Sequence, residues 1–544
     1  MSEYPASIVH AFLDACDRAP DKTCIHFEGR QITYGQLRDQ AMQWAGGLHA
    51  WGLQPEDRVA LYLDNSPTFL AAYLGTYLAG GIVVLVNTQY RQVELRHILN
   101  DSGTRVCITD DERLVELNKV HADLPALEAV VLADGDGRKS NDAASSALPS
   151  AFSILHSSSF IPPPSPFILP TPSSIALLAY TSGTTGRSKG AMLTHGNLAA
   201  NARAVTTAWR WSAGDRLLLA LPLFHVHGLC VGMHGSFLMG STVDLRRRFD
   251  AAEVFDTLLR GTTAMFFGVP TMYSRLIAEA KQRGRAPMPI RLYVSGSAPL
   301  STHTFDEFER VFGQRILERY GMTETLMNLT NPYDGERRAG TVGQPFPGQE
   351  ARIVDVQTRQ PIRDERPGEI QVRGPHVFKG YWQNPEATAS AFDAEGWFNT
   401  GDLGWRSADG YFTISGRAHE LIISGGYNVY PREVEEVLQA HPGVAEAAVI
   451  GLPDADLGEQ VVAVVVKRSD AHGPSAEDLV AHCRDRIAAY KKPRRVIFVE
   501  SLPRNALGKV QKQVIAEWIR TPEVAASNRD LRSRPPASRD QSGS

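Results

Sequence analysis

Short apolar runs alternate with helical stretches through residues 5–415, and this alternation limits the possible folds more than any other feature. The runs are RVALYL, IVVLV, RVCITD, AVVLA, IALLAY and RLLLALP. Strands that alternate with helices along a chain pair in parallel, and the helices cover the faces of the sheet. The sequence therefore predicts an α/β fold, with a large multi-sheet N-terminal domain over residues 1–416.

The elements become shorter after residue 416, where the chain reads as a small α+β domain over residues 421–520. Residues 134–174 are rich in Ser, Pro and Ala and have no apolar period. This composition predicts an irregular insertion. The polar stretch 521–544 is expected to form a disordered tail.

Charge and cysteine content exclude several classes of protein. The 544 residues carry a formal net charge of −4, which gives no long-range attraction to nucleic acid or anionic lipid. The five cysteines are scattered and never occur as Cys-x-x-Cys, which argues against a disulfide framework or a zinc ribbon. The first residues, MSEYPASIVH, have no secretory pattern. We therefore expect a cytoplasmic protein without a nucleic-acid partner.

One uncharged stretch, residues 68–86, is nominally long enough to span a membrane. Ser66 and Pro67 are typical of a helix start, and Gly80 followed by Gly81 is typical of a helix end. The IVVLV run that follows is typical of a short buried strand. The stretch is therefore predicted to be a core helix and strand, not a membrane span.

Residues 181–190 read TSGTTGRSKG, with five hydroxyl groups, three glycines and two cations between apolar segments. Such a loop offers backbone N–H groups, hydroxyl donors and an ammonium to a strongly anionic group such as phosphate. It is not a Walker A loop, because no Gly-Lys-Ser/Thr occurs. The alternative is a flexible linker, but strand and helix signals flank the segment. We therefore predict a nucleotide-phosphate loop between a strand and a helix.

Six further motifs follow the loop in a fixed order. They are LPLFHVHGL (221–229), RLYVSGSAPL (291–300), ERYGMTET (318–325), WFNTGDLG (397–404), SGRAHELIISGGYNVYP (415–431) and PRNALGKVQK (503–512). Together with the loop they closely resemble the acyl-adenylate-forming superfamily of acyl-CoA synthetases, adenylation domains and luciferases. The resemblance covers nearly the whole chain except 134–174 and the tail. It implies an acid-thiol ligase that converts a carboxylate, ATP and CoA into acyl-CoA, AMP and pyrophosphate through an acyl-AMP.

The resemblance implies an ATP site with Mg²⁺. Thr323 would contact the α-phosphate and Glu324 would hold the metal, a hard cation suited to one carboxylate plus phosphate oxygens. Asp402 would accept the ribose hydroxyls with help from Arg417, although an Asx-turn is the alternative for this residue. The phosphate and adenine contacts would come from Thr181, Ser182, Gly183, Thr184, Thr185, Gly186 and Lys189, and from Gly296, Ser297, Ala298 and Tyr320.

The small domain is expected to be a mobile lid. Lys509 resembles the catalytic lysine that bridges the acyl carboxylate and the phosphate, and the domain would rotate about a hinge at residues 417–420. Gly425 and Gly426 would line the path of CoA. His419 stands where the family usually has Asp or Lys, and Ser188 stands where it usually has Pro. A histidine at the hinge leads to the hypothesis that rotation is pH-sensitive.

The motifs define the acid substrate less clearly than they define the ATP site. His225 resembles the aromatic residue that lines the acyl tunnel, and its cluster with His227 is too short to close a zinc site. The segment ERYGMTETLMNLTNPYDGERRAG looks most like malonyl-CoA synthetases. A dicarboxylate needs a cation for its second carboxylate, and Arg291 is the candidate, with Ser295 and Met322 also in the acyl pocket. The alternative is a medium- or long-chain fatty acid, bound by Met322, Met327, Val226 and Met233.

Three other functions remain weaker. A peptide-synthetase adenylation module would stand beside a carrier domain, which the 24 residues after 520 cannot hold. A non-catalytic nucleotide-binding protein is disfavoured because Glu324, Asp402 and Lys509 all fall in their expected places. A luciferase-like oxygenase shares the fold, and a fold does not determine a function. The oligomeric state is left open.

Overall fold

The computed structural model contains two compact units of unequal size. One comprises residues 1–400 and 405–413, and the other comprises residues 401–404 and 414–544. Both mix helices with strands, so the predicted α/β fold with a large and a small domain is confirmed. The structure describes residues 5–133, 153–161, 167, 169–181, 188–425, 427–454, 456–468, 473–484, 486–505 and 509–520.

The strands are numbered in chain order. They are β1 (Thr23–Phe27), β2 (Arg30–Thr33), β3 (Arg58–Tyr62), β4 (Ile82–Leu85), β5 (Val106–Thr109), β6 (Ala129–Leu132), β7 (Ser153–His156), β8 (Ile175–Thr181), β9 (Lys189–Thr194), β10 (Arg216–Leu219), β11 (Thr242–Leu245), β12 (Met265–Gly268), β13 (Leu292–Ser295), β14 (Leu317–Met322), β15 (Leu326–Thr330), β16 (Gln344–Pro345), β17 (Glu350–Val354), β18 (Pro361–Ile362), β19 (Gly368–Arg373), β20 (Gly380–Tyr381), β21 (Phe398–Arg406), β22 (Phe412–Arg417), β23 (Ile422–Ser424), β24 (Tyr427–Val429), β25 (Val444–Asp454), β26 (Gly458–Lys467) and β27 (Arg495–Val499).

The α-helices are numbered in the same way. They are α1 (Ile8–Arg18), α2 (Tyr34–Trp51), α3 (Pro67–Leu78), α4 (Gln92–Ser102), α5 (Asp111–Asn118), α6 (His195–Ala208), α7 (His234–Met239), α8 (Ala251–Leu259), α9 (Pro270–Arg283), α10 (Thr302–Phe312), α11 (Pro385–Ala391), α12 (Pro431–Gln439), α13 (Ala476–Arg484) and α14 (Lys512–Arg520).

The N-terminal unit contains two large sheets, in addition to the strands β17, β18 and β19 of a five-stranded sheet ordered β18-β17-β19-β21-β22. One has nine strands in the order β16-β15-β14-β13-β12-β10-β11-β1-β2, and the other has eight in the order β20-β9-β8-β4-β3-β5-β6-β7. The central strands of both are parallel. Runs such as IVVL in β4 are buried at every residue, as expected for parallel strands covered on both faces.

The uncharged stretch folds as predicted, into a helix followed by a strand. Ser66 caps α3 by accepting a hydrogen bond from the Phe69 amide, and Pro67 is the first helical residue. Gly80 then turns the chain with a φ of +81°, a value that favours glycine. No helix in the described part of the chain is both long and apolar enough to cross a membrane.

Part of the predicted irregular insertion is a regular strand. The strand β7 pairs in parallel with β6, with Leu132 opposite His156. Phe160 then packs edge-on against Trp44, with ring centroids 5.4 Å apart, and occupies the space above Gly47, where a Cβ would lie 2.0 Å from its Cγ. The prediction is therefore wrong for this part, because four residues are too few to show a period. Residues 134–152 lie outside the described residues.

The C-terminal unit has its own sheet, in which β24-β23-β26-β25 are neighbours and β27 also pairs with β26. Apolar residues on the two faces form two separate clusters, one centred on Val449 and Val465 and the other on Ile450 and Ile515. These clusters pack against the helices α12, α13 and α14. The predicted tail lies outside the described residues.

Candidate active site

The two strands that flank the phosphate loop, β8 and β9, pair antiparallel as a hairpin. Thr181 ends β8 and lies opposite Lys189, the first residue of β9. The segment GAML belongs to β9, so the expected direct passage from loop to helix is wrong, and α6 begins only at His195. The pairing of Gly190, Ala191 and Met192 with residues of β8 shows that this segment is a strand. The predicted contacts Ser182, Gly183, Thr184, Thr185 and Gly186 lie outside the described residues.

Glu324 lies beside this hairpin, and Tyr381 connects the two. The Lys189 Nζ atom is 5.1 Å from the centroid of the Tyr381 ring. The Tyr381 hydroxyl donates a hydrogen bond of 3.0 Å to Glu324 Oε1, and the Phe378 amide donates to the Glu324 carbonyl at 2.8 Å. Glu324 is 7% exposed, while the neighbouring Thr323 is half-buried. The structure therefore brings Lys189, a predicted ATP contact, and Glu324, the predicted metal ligand, to one tyrosine.

The donor set around Glu324 suits Mg²⁺. No group of three or more His, Cys, Asp or Glu side chains converges within the described residues. Magnesium is usually held by one or two carboxylates together with phosphate oxygens and water, and does not need an all-protein cage. Glu324 would thus be its protein ligand, and the metal would neutralise charge on the phosphates.

The predicted adenine loop follows β13 and has one strained residue. Ser297 has a φ of +67°, which is uncommon for a residue with a side chain. Its Oγ forms a hydrogen bond of 3.1 Å with Nδ1 of His227. Ala298 is half-buried, and Tyr320 is 8% exposed with its hydroxyl 3.8 Å from Met322 Sδ. The bond from His227 holds the loop in this conformation.

A buried arginine lies directly behind the adenine loop. A Cβ on Gly296 would lie 2.4 Å from Cζ of Arg319, so glycine is required for close packing. Arg319 is 3% exposed, and within the described residues its Nε and Nη2 atoms have no hydrogen-bond partner. Burial lowers the pKa of Arg319 to about 9. Unpartnered buried cations are expensive, so this guanidinium is suited to an anionic ligand.

Other polar groups near Arg319 are also buried. The Oγ atom of Ser295 and the Nε2 atom of His227 have no hydrogen-bond partner within the described residues. Burial, followed by the Arg319 charge, lowers the pKa of His225 to about 4 and that of His227 well below its usual value. Both imidazoles are therefore neutral near pH 7 and leave Arg319 as the cation of this region.

Sequence reasoning missed Arg319 and named Arg291 as the cation for the acid. Arg291 donates to both carboxylate oxygens of Asp215, at 2.8 and 2.9 Å, and to the Trp209 carbonyl at 2.7 Å. It immediately precedes β13, at the amino end of the strand, whereas Ser295 is at the carboxyl end. Ligands of open parallel sheets bind outside the carboxyl ends of the strands. The predicted role of Arg291 in binding the acid therefore does not fit this geometry.

A π-helical turn, His227–Met233, leads from the histidine motif into α7. Such turns occur frequently at functional sites. Asn201 of α6 donates to the carbonyl of Cys230 in this turn at 3.0 Å and accepts from the amide of Met327 at 3.1 Å. This side chain thereby fixes the π-helical turn to β15.

The ribose and lysine candidates lie together in the C-terminal unit. Arg417 forms an ion pair of 2.5 Å with Asp402, which is 4% exposed. Lys509 is held through its backbone, because its amide donates to Asn505 Oδ1 and its carbonyl accepts from the Asn505 amide, both at 3.0 Å. Surrounding protein and then the Arg417 guanidinium lower the pKa of Lys509.

The predicted hinge is connected to the lysine segment by Lys512, a half-buried cation that sequence reasoning also missed. Lys512 Nζ lies 3.1 Å from Glu420 and 2.7 Å from Glu435. His419 is exposed, and desolvation is the first cause that lowers its pKa. Gly425 has a φ of +58°, and Gly426 lies outside the described residues.

Comparison with known proteins identifies the family. Residues 12–382 match the model of the AMP-binding enzyme family, and residues 433–509 match that of the AMP-binding enzyme C-terminal domain. The chain therefore belongs to the AMP-binding enzyme family.

Two curated relatives and one solved structure illustrate the similarity. A long-chain-fatty-acid–CoA ligase of Bacillus subtilis is 34% identical over 95% of this chain and 97% of its own. A malonate–CoA ligase of Arabidopsis thaliana is 32% identical over 96% and 91%. ATP-bound MatB from Rhodopseudomonas palustris superimposes with a TM-score of 0.84 and 38% identity, over 94% of this chain and 99% of that one. The prediction of an AMP-forming acyl-CoA ligase is confirmed by the family and these relatives, while the roles of single residues remain predictions.

Proposed function

We propose that this enzyme converts malonate, ATP and CoA into malonyl-CoA, AMP and pyrophosphate. One malonate carboxylate attacks the α-phosphorus of ATP and pyrophosphate leaves. The CoA thiol then attacks the acyl carbon of malonyl-AMP, and AMP leaves with the electrons of the broken C–O bond. Relatives that act on malonate and on fatty acids are about equally similar to this chain, so the proposal rests on the site.

The observation that carries the proposal is that Nε and Nη2 of the buried Arg319 have no hydrogen-bond partner within the described residues. Malonate keeps one carboxylate after the other has been adenylated, and this second carboxylate needs a fixed cation. An arginine can donate two parallel hydrogen bonds to a carboxylate, and Nε and Nη2 of Arg319 are both available within the described residues. The bound acid would supply the partner that this buried cation lacks.

The position of Arg319 along β14 supports the same role. It lies one residue beyond Glu318, which is opposite Ser295 in the register of β13 and β14. It therefore lies just beyond the carboxyl end of β13, four residues before Thr323, the predicted α-phosphate contact. An acid held at Arg319 would be directed along β14 toward Thr323 and the nucleotide.

The second candidate, a fatty acid, is favoured by the apolar character of Val226, Met233 and Met327, which are at most 3% exposed. An alkyl chain in this region would leave Arg319 desolvated and still without a partner. That arrangement costs several kcal/mol, so the geometry favours the dicarboxylate.

The test measures AMP formation with malonate, methylmalonate, acetate and octanoate, in wild type, Arg319→Met and the control Arg291→Met. We expect malonate to have the highest kcat/KM in wild type. Arg319→Met should lower it about 100-fold, equivalent to about 2.7 kcal/mol, with little effect on acetate. Arg291→Met should leave the ratio of malonate to acetate unchanged. A preference for octanoate that Arg319→Met does not alter would overturn the proposal.

A further inference from the structure

We propose that α4 acts as a clamp on the hairpin of β8 and β9, with His97 as a positioning residue for the ATP phosphates. His97 and Asp101 hold the two sides of the hairpin, and thereby fix Thr181 and Lys189. This inference rests on the proposed function only in taking Thr181 and Lys189 as phosphate contacts, and it is independent of the acid.

Two hydrogen bonds form the clamp. His97 Nε2 lies 2.7 Å from the carbonyl oxygen of Ser188, the residue before β9. The Tyr180 hydroxyl, near the end of β8, donates to Asp101 Oδ2 at 2.6 Å. Residues four apart lie on the same face of a helix, so α4 reaches both strands with one face. The rings of His97 and Tyr180 also meet edge-on, with centroids 6.1 Å apart.

The strand next to the hairpin is held by the same helix. Trp382 donates its indole N–H to the Asp101 carbonyl at 3.1 Å, and its amide donates to the Gly190 carbonyl at 2.7 Å. Gly190 leaves room for this arrangement, since a Cβ there would lie 3.1 Å from Cζ of Tyr180 and 3.3 Å from Cβ of Trp382. Because Tyr381 contacts both Lys189 and Glu324, the clamp also supports the surroundings of these two residues.

The hydrogen bond of His97 has a defined direction. A carbonyl oxygen only accepts hydrogen bonds, so Nε2 must carry the hydrogen. Nε2 carries a hydrogen in the matching neutral tautomer and also in the protonated ring.

The clamp matters because Ser188 does not restrict its own backbone. Unlike proline, serine leaves φ free, so the end of the hairpin has conformational freedom that must be lost when ATP binds. The bond from His97 removes part of this freedom before binding. The effect should fall on the β- and γ-phosphates of ATP and leave the adenosine contacts unchanged.

The test compares His97→Leu, which removes the donor, with His97→Gln, whose amide N–H can replace Nε2–H. The matched control is Arg96→Gln on the same helix, since Arg96 pairs with Asp123 on another side of α4. Equilibrium binding of ATP and of AMP is measured for each variant without acid, and KM values for ATP and acid are measured for the full reaction.

We expect His97→Leu to weaken ATP binding and raise its KM about tenfold, with AMP binding, the acid KM and the thermal unfolding midpoint unchanged. His97→Gln should restore most of the ATP affinity, and Arg96→Gln should resemble wild type. If ATP and AMP binding weaken equally in His97→Leu, or neither changes, the clamp is overturned. If wild type binds ATP no more tightly than AMP, the assignment of the hairpin to the phosphates fails instead.

Discussion

The two ends of the strands around β13 differ in how they hold buried charge. At the amino ends, Arg291 is paired with Asp215, and Arg216 is paired with Asp244 through two hydrogen bonds of 2.7 Å. At the carboxyl ends, Arg319 is more deeply buried, yet two of its donor atoms have no partner within the described residues. A structural arginine therefore differs from a candidate substrate-binding one in the strand end at which it lies and in whether it has a carboxylate partner. The residue type alone does not make this distinction.

The largest expected effect is a loss of stability when the pair of Arg291 and Asp215, at the amino end of β13, is broken. Arg291→Met should lower the free energy of unfolding by about 3 kcal/mol, because it leaves the buried Asp215 carboxylate without its partner. Urea unfolding followed by tryptophan fluorescence measures this loss. The buried Trp209 is next to the altered site, since its backbone carbonyl accepts a hydrogen bond from Arg291. The double variant Arg291→Met/Asp215→Asn should lose less than the sum of the single variants. A change in substrate preference without loss of stability would contradict the comparison.

The next largest effect is a loss of activity when Arg319, beyond the carboxyl end of β13, is displaced. Gly296→Ala places a Cβ where Cζ of Arg319 would be 2.4 Å away, so the guanidinium must move. We expect kcat/KM for malonate to fall roughly tenfold, since misplacement of a binding group is costly, with a smaller change for acetate. Gly214→Ala is the control, because the space around Gly214 is open apart from Ser212 Oγ at 3.8 Å. Equal losses for malonate and acetate would argue against a specific effect through Arg319.

The smallest effect is on the titration of His225. Its folded pKa of about 4 lies below the unfolded value, so the unfolded state binds more protons between these values. This contribution to stability is present above about pH 6.5 and is lost as the pH falls toward 4. Arg319→Met should raise the His225 pKa but leave it below the usual value, because burial is the larger cause. NMR of labelled histidines measures the shift, and an equal rise in Arg291→Met would refute it.

Features that depend only on a short local segment could be predicted from the motifs in the sequence. The phosphate loop, Glu324, Asp402 and Lys509 each lie in a short segment with its own composition, so they could be named as candidates without knowledge of the fold, whereas the strand β9 after the loop was not predicted. The helix and strand at residues 67–85 were predicted for the same reason.

The features that sequence reasoning missed depend on tertiary contacts. Glu318 and Arg319 are adjacent charged residues in β14, so they point to opposite faces of the strand, and both are buried because both faces are covered. A pattern of alternating polarity cannot reveal this arrangement. Arg291 was predicted for its place in a motif, and only the register shows that it lies at the wrong end of β13. The signal for Arg319 was a pair of charges within an otherwise apolar strand.

Arg319 also has a consequence for engineering this enzyme. Replacing an unpartnered buried charge by an apolar side chain of similar size removes a desolvation penalty and stabilises the folded state. A selection for heat resistance alone would therefore favour an apolar residue at position 319 and discard the proposed recognition of the acid in the process. Thermostable variants of this enzyme must be selected for turnover and heat resistance together.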